Sequence, residues 1–395
     1  MTGPLTGIVV VDMTRVLAGP FCTMLLADMG AEVIKIERPE GGDDSRAFGP
    51  FVHGESAYFM SINRGKKSAT LNLKRPEGQE LLLELVRKAD VLVENFKPGV
   101  MDRLGLGYDA LARVNPRLVY AASSGFGQTG PYSDRPAYDL IIQGMGGLMS
   151  ITGPDADQPT KVGSSIADIF AGVFTAIGIL AALYSREKTG RGQLVDVGML
   201  DCMVAILENA VARHVATGQD PQPIGNRHPS IAPFATFTTA DGSLNIACGN
   251  DDLWRKFCAL ADVPALTEDP RFATNPLRVQ HSSELEIEMN KALARRTTAD
   301  WLGLLQAKGI PCGPINSISQ VLNDAHVLAR KMLVEVVHPT AGSMKIPGVP
   351  IKFSETAAEV LGPAPTLGQH NADIWGTRLG RPPETVGHLK EQGVI

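Results

Sequence analysis

The run from Ile166 to Tyr184 constrains this chain more than any other stretch. It is mostly apolar and carries one charge, Asp168. A lone carboxylate at the head of a buried helix is costly unless something satisfies it. Two readings compete. Ser165-Ile-Ala-Asp168 fits a capping box, and an acid in the first turn complements the helix dipole. Alternatively, Asp168 is a nucleophile on a rigid mount. The run is long enough to span a bilayer. However, it stands alone and contains Asp168, Gly172 and Gly178. These features predict the central helix of a large domain and no membrane partner.

At 395 residues the chain exceeds one ordinary core, so two domains are expected. It is 44% apolar and 20% charged, a globular composition. A net charge of -5 argues against a general nucleic-acid binder. Cys22, Cys202, Cys248, Cys258 and Cys312 are scattered with no CxxC, and the histidines form no metal spacing. That predicts no zinc site, no disulfide framework and a reducing, cytoplasmic compartment. No basic segment precedes the first apolar run, which makes a poor signal peptide.

Ile8–Asp12 and Ala31–Glu37 read as strands around a helix over Phe21–Met29. Ala69–Leu73, Val91–Glu94, Leu118–Ala122 and Gln193–Val197 read as further strands. Helices are expected from Pro76 to Lys88 and over Tyr108–Val114. This βαβ rhythm predicts an α/β fold with a Rossmann-like open parallel sheet. Leu200–Thr217 reads as one amphipathic helix. The proline-rich stretch 218–233 reads as a linker, and 225–327 as a smaller α+β domain. That domain holds a hairpin over Phe234–Ala247 and helices near Asp251–Ala261, Glu284–Arg295 and Thr298–Lys308. The tail 334–395 reads as mostly extended, returning to the large domain of residues 1–217.

Open α/β sheets bind ligands at the carboxyl ends of their strands. Arg38, Lys74, Lys97, Arg103 and Arg135 all follow strands, and together they would suit a polyanion. Phe96 would offer an aromatic face. Glu37, at the end of the second strand, invites a dinucleotide reading. The first turn, Thr-Arg-Val-Leu-Ala-Gly-Pro, lacks the G-x-G-x-x-G fingerprint, which makes a nicotinamide dehydrogenase a poor fit. No G-x-S-x-G is present. Tyr138-Asp139 is a second acid site, equally readable as a helix start.

Several long motifs resemble the family III coenzyme A transferases. They are Gly7-Ile-Val-Val-Val-Asp-Met-Thr-Arg-Val-Leu-Ala-Gly-Pro, Leu25-Leu-Ala-Asp-Met-Gly-Ala-Glu-Val-Ile-Lys-Ile-Glu-Arg-Pro, Glu94-Asn-Phe-Lys-Pro-Gly, Lys188-Thr-Gly-Arg-Gly-Gln and Gly309-Ile-Pro-Cys-Gly-Pro. The resemblance implies that Asp168 is the nucleophile. It also implies a coenzyme A cleft made by Leu17, Ala18, Arg38, Leu71, Asn72, Leu73, Lys74, Asn95, Phe96, Lys97 and Arg103, with Arg135 to Tyr138 a looser match. It implies transfer of coenzyme A from an acyl-CoA such as succinyl-CoA to a small carboxylic acid, with no metal. It further implies a homodimer of two interlocked rings.

The α-methylacyl-CoA racemases are relatives and supply an alternative activity. Tyr138 stands where their histidine would be, which disfavours it. A catalytically inactive CoA-binding protein is a third reading, opposed by the intact Asp168. The glycine-rich loop of formyl-CoA transferase is absent. Gly225-Asn-Arg-His-Pro-Ser-Ile-Ala-Pro occupies that region, so formate and oxalate are not favoured. A nucleophilic Asp168 is expected to stay ionised at the helix N-terminus. The amides near Ala18 and in Gly144–Gly147 are the expected oxyanion donors.

Overall fold

A computed structural model describes residues 3–395. The chain divides into two compact units. One comprises the residues up to Met149, Lys161–Ala216 and Ala325–Ile395; the other comprises Ser150–Thr160 and Thr217–Asp324. Residues 150–160, read from sequence as part of the large domain, cluster with the second unit, as does the 218–233 stretch.

The first unit holds a six-stranded sheet: β1 (Val9–Asp12), β2 (Glu32–Glu37), β3 (Lys67–Thr70), β4 (Val91–Glu94), β5 (Val119–Ser124) and β6 (Leu194–Gly198). The order is β3-β2-β1-β4-β5-β6, with every neighbour parallel. The chain builds outward from β1 to β3, then returns to place β4 on the other flank of β1. The switch point between β1 and β4 opens a crevice at their carboxyl ends.

Alternation along each strand sorts the core onto two faces. Val10, Val33, Val93 and Val119 pack with Cys22, Leu26 and Ile179. Val11, Ile34, Leu92 and Tyr120 pack with Leu82, Leu85, Trp375 and Ile395. The first face is covered by α1 (Ala18–Asp28) and α7 (Ile166–Thr189). Between them lie α2 (Ala57–Ile62), α3 (Pro76–Val86), α4 (Val100–Arg103), α5 (Tyr108–Val114) and α6 (Asp139–Met145). The long apolar run is thus a helix packed on the sheet and on α1.

Leu200–Thr217 is not one helix. Met199–Ile206 and Asn209–Thr217 are separate, because Glu208 takes a left-handed φ of 37° that an α-helix cannot continue through. The tail is also less extended than its prolines suggest. It contains an antiparallel pair (Leu333–His338 with Gly342–Pro347), a π-helical segment over Ala372–Arg378 and a helix over Pro383–Glu391. Trp375 Nε1 donates to Thr70 O at 3.0 Å, and Asn72 N to Val394 O at 2.8 Å, which ties the tail to the end of β3.

In the second unit Phe234–Thr238, Ser243–Ala247 and Cys312–Pro314 form an antiparallel three-stranded sheet. Helices Asp251–Leu260, Ser282–Leu293 and Thr298–Ala307 accompany it. Its core is built on Trp254, Phe257, Phe272, Met289 and Trp301.

Candidate active site

Asp168 sits in the first turn of α7, one turn before Gly172. Residues four apart share a helix face. Gly172 is where α7 meets the start of α1, since a Cβ added there would lie 2.6 Å from Ala18 O. Both helices begin at the carboxyl edge of the sheet, so Asp168 projects from the region where open sheets hold ligands.

The expected Ser165 cap does not form, because Ser165 makes no side-chain cap bond. The cap comes from another helix. Asp139 Oδ1 accepts Ala167 N–H at 2.9 Å, and its Oδ2 accepts Gln143 Nε2 at 2.8 Å. Gln143 Oε1 in turn accepts Val162 N–H at 2.9 Å. The Asp168 carboxylate accepts no hydrogen bond and joins no ion pair among the described residues. Burial, with the Asp139 charge behind it, pushes its carboxyl up to about 7. The expectation of a low pKa is therefore overturned: desolvation and a like charge outweigh the helix dipole. The same surroundings raise the Tyr58 phenol, on α2, to about 12, through burial first and then the charges of Asp168, Asp43 and Asp139. No motif singles out Tyr58 in the sequence.

A cavity of about 640 Å³ lies at the carboxyl ends of β1, β2 and β3. Arg38, Leu71 to Lys74, Phe96 and Arg103 line it together, as do Thr14 and Arg15. Two of its acids, Glu37 and Asp43, are occupied elsewhere. Glu37 accepts from Arg46 Nε at 2.7 Å, Ser68 Oγ at 2.6 Å and Asp43 N at 3.0 Å. Asp43 pairs with the buried Lys35 at 2.8 Å. The cations are more exposed: the Arg38 side chain is 57% accessible, bonded to Asp44 at 2.6 Å. The wall therefore favours an anion, and Glu37 is not available to a ribose in the dinucleotide manner.

Other expected residues are not among the walls of this cavity. Leu17 and Ala18 form the start of α1. Asn95 is committed to the Arg15 backbone. Lys97 is exposed on the next loop. Arg135 stacks on Tyr132 at 3.8 Å, and Tyr138 is 74% exposed ahead of α6. Gly146 and Gly147 give their N–H groups to Ile142 O and Gly144 O, so they do not serve as oxyanion donors. Ala18 and Gly19, as the first helical residues, have no acceptor within α1. Glu94 was missed as a supporting residue. Its Oε2 accepts Phe96 N–H at 2.7 Å, and burial raises its carboxyl to about 7. No group of three or more His, Cys, Asp or Glu gathers as a metal site among the described residues.

A carboxylate without a partner at the carboxyl edge of an open parallel sheet, and a cavity at that edge lined by Arg15, Arg38, Lys74 and Arg103, together suit an enzyme acting on a polyanionic substrate. The model of CoA-transferase family III matches residues 5–371. The acetyl-CoA:oxalate CoA-transferase of Acetobacter aceti is 47% identical over 353 residues, covering 89% of this chain and 90% of that protein. The mouse succinyl-CoA:glutarate CoA-transferase is 42% identical over 393 residues, covering 99% and 90%. A crystal structure of a CAIB/BAIF family protein from Brucella suis superposes with a TM-score of 0.86 at 41% identity, covering 96% of this chain and all of that one. The chain belongs to CoA-transferase family III. It is a CoA-transferase, and such enzymes use acyl-CoA as substrate.

Proposed function

We propose that this enzyme transfers coenzyme A through a covalent aspartyl-CoA thioester on Asp168. The observation that carries the reading is the unpartnered, half-buried Asp168 carboxylate at the start of α7. A desolvated carboxylate without a partner persists where it has chemistry to perform.

The ionised Asp168 attacks the thioester carbonyl of the donor, forming a mixed anhydride and releasing CoA thiolate. The thiolate attacks the aspartyl carbonyl, expelling the donor's carboxylate and leaving aspartyl-CoA. The acceptor carboxylate attacks that thioester, giving a new anhydride and thiolate, and thiolate attack on the acceptor carbonyl frees Asp168. Each step replaces a direct exchange with easier ones. The N–H groups of Ala18 and Gly19 are the candidate donors to the oxyanions.

The coenzyme A cleft comprises Arg38, Leu71 to Lys74, Phe96 and Arg103, with Leu17, Ala18, Asn95 and Lys97 beside it and Arg135 and Tyr138 at its periphery. The protein works in the cytoplasm as an interlocked homodimer. Its relatives' names make acetyl-CoA or succinyl-CoA the first donors to try, and oxalate or glutarate the first acceptors. The disfavour of oxalate inferred from the missing glycine-rich loop is not carried forward, given the oxalate-named relative at 47% identity. The test is a CoA-exchange screen of both donors against mono- and dicarboxylic acids, with Asp168→Ala as control. Transfer to at least one dicarboxylate, abolished in a folded Asp168→Ala protein, is expected. Substantial turnover by that variant would contradict the reading.

A further inference from the structure

The turn joining β1 to α1 contains no glycine before Gly19, yet Val16 adopts φ 67°. A β-branched residue in the left-handed region is an outlier that the surroundings must enforce. They do so with bonds from β1, β2, β4 and the loops that follow β2 and β4. Met13 N–H bonds to Val93 O at 2.8 Å. Thr14 N–H and Oγ1 both reach Asp12 Oδ1, at 2.9 and 2.5 Å, and Lys35 Nζ donates to Thr14 O at 2.8 Å. Asn95 takes both polar groups of the next peptide: its Oδ1 accepts Arg15 N–H at 2.8 Å, and its Nδ2 donates to Arg15 O at 2.8 Å. Asp43 Oδ1 accepts Val16 N–H at 3.1 Å.

The clamp is itself anchored in the core. Lys35 and Asp43 are buried partners at 2.8 Å. Lys66 Nζ lies within 3.0 Å of Asp12 Oδ2, Pro20 O, Thr23 Oγ1 and Asn63 Oδ1, with no exposure of its side chain. Gly19 completes the fit, since a Cβ there would meet the Thr14 side chain at 2.3 Å. Leu17 and Ala18 follow Val16 directly, and Ala18 is the residue that abuts α7 at Gly172.

We propose that Asn95 and the buried Lys35–Asp43 pair are positioning residues that hold Val16 left-handed and so aim the start of α1 at the reacting carbonyl on Asp168. The inference rests on the proposed role of Asp168. In this account Asn95 acts on the backbone of the turn, with both polar atoms of its amide already used. A structural filler would be indifferent to what occupies position 16. A clamp is not, because glycine adopts the left-handed conformation without help.

The test compares Asn95→Ala, Val16→Gly and the double variant, measuring kcat, KM for acyl-CoA and Tm. Asn95→Ala is expected to lower kcat at least tenfold with KM changed less than threefold, and adding Val16→Gly to recover at least threefold in kcat. If Asn95→Ala does not fold, Asn95→Asp, which keeps the acceptor for Arg15 N–H but sets a charged oxygen against Arg15 O, replaces it with the same expectations. Retention of kcat within twofold, a loss confined to KM, or a kcat loss that Val16→Gly leaves unrepaired would overturn the clamp. Asp168 is intact in every variant, so trapping its acyl adduct with hydroxylamine in the unmodified enzyme reports separately on the catalytic reading.

Discussion

Asp139 Oδ1 accepts the Ala167 N–H at 2.9 Å, which seats a second carboxylate at the foot of the helix that carries Asp168. Asp139 thus stabilises the helix and, through the same position, raises the carboxyl of its neighbour. The two effects are separable, because asparagine keeps the Oδ1 acceptor for Ala167 N–H and loses the charge, giving up only the Gln143 Nε2 bond to Oδ2.

Asp139→Asn removes the like charge while burial remains. The Asp168 carboxyl then titrates below its present value of about 7, still above an ordinary aspartate. Only the ionised form attacks, so the rate falls as pH drops through this pKa. The acidic limb of kcat/KM against pH is expected to move to lower pH by roughly half to one unit. An unmoved limb would show that Asp139 does not set the ionisation.

Asp168 also bears on stability. Its folded pKa is raised above the ordinary aspartate value of 3.8, so between the two values the folded state holds a proton that the unfolded chain has released. Stability is therefore lost as pH rises from about 4 toward 7, and the loss is complete above the folded pKa. Asp168→Asn removes this penalty. It is expected to be more stable than the parent at pH 8 by ~1–3 kcal/mol, with the difference shrinking toward pH 5. Thermal unfolding at both pH values checks this.

Gly172→Ala places a methyl 2.6 Å from Ala18 O and 3.2 Å from Cys22 N. Backbone cannot yield as a flexible side chain does, so α1 and α7 must separate. A cost of ~1–3 kcal/mol is expected. Because Asp168 shares that helix face, kcat should fall with Tm. Unchanged kcat in a destabilised protein would mean that the α1–α7 spacing does not matter to the chemistry.

Arg38→Ala removes a cation from the cavity wall and leaves Asp44, its present partner at 2.6 Å, paired with Arg15 alone at 3.2 Å. KM for acyl-CoA is expected to rise about tenfold with kcat nearly unchanged, the signature of uniform binding. A fall in kcat alone would place Arg38 in the chemistry instead.

Most of the large sheet was legible from the sequence. Strands such as Val91–Glu94 are short apolar runs bounded by turn residues, and local pattern suffices for them. The site was legible in its residue types and not in its wiring. Ser165 and Asp168 satisfy a local capping rule, yet Asp139 caps the helix from another element. The Lys66–Asp12 pair joins residues 54 positions apart, and Asn95 reaches Arg15 across 80. No periodicity reports such contacts. Glu208 shows the converse limit, since a single left-handed residue split a run that was amphipathic throughout.

The central claim is tested most directly by incubating the enzyme with acyl-CoA, adding hydroxylamine and mapping the peptides by mass spectrometry. An aspartyl hydroxamate on Asp168, formed only when acyl-CoA is present, is the predicted result. An unmodified Asp168 peptide in enzyme that is turning over under the same conditions would contradict covalent catalysis at this residue.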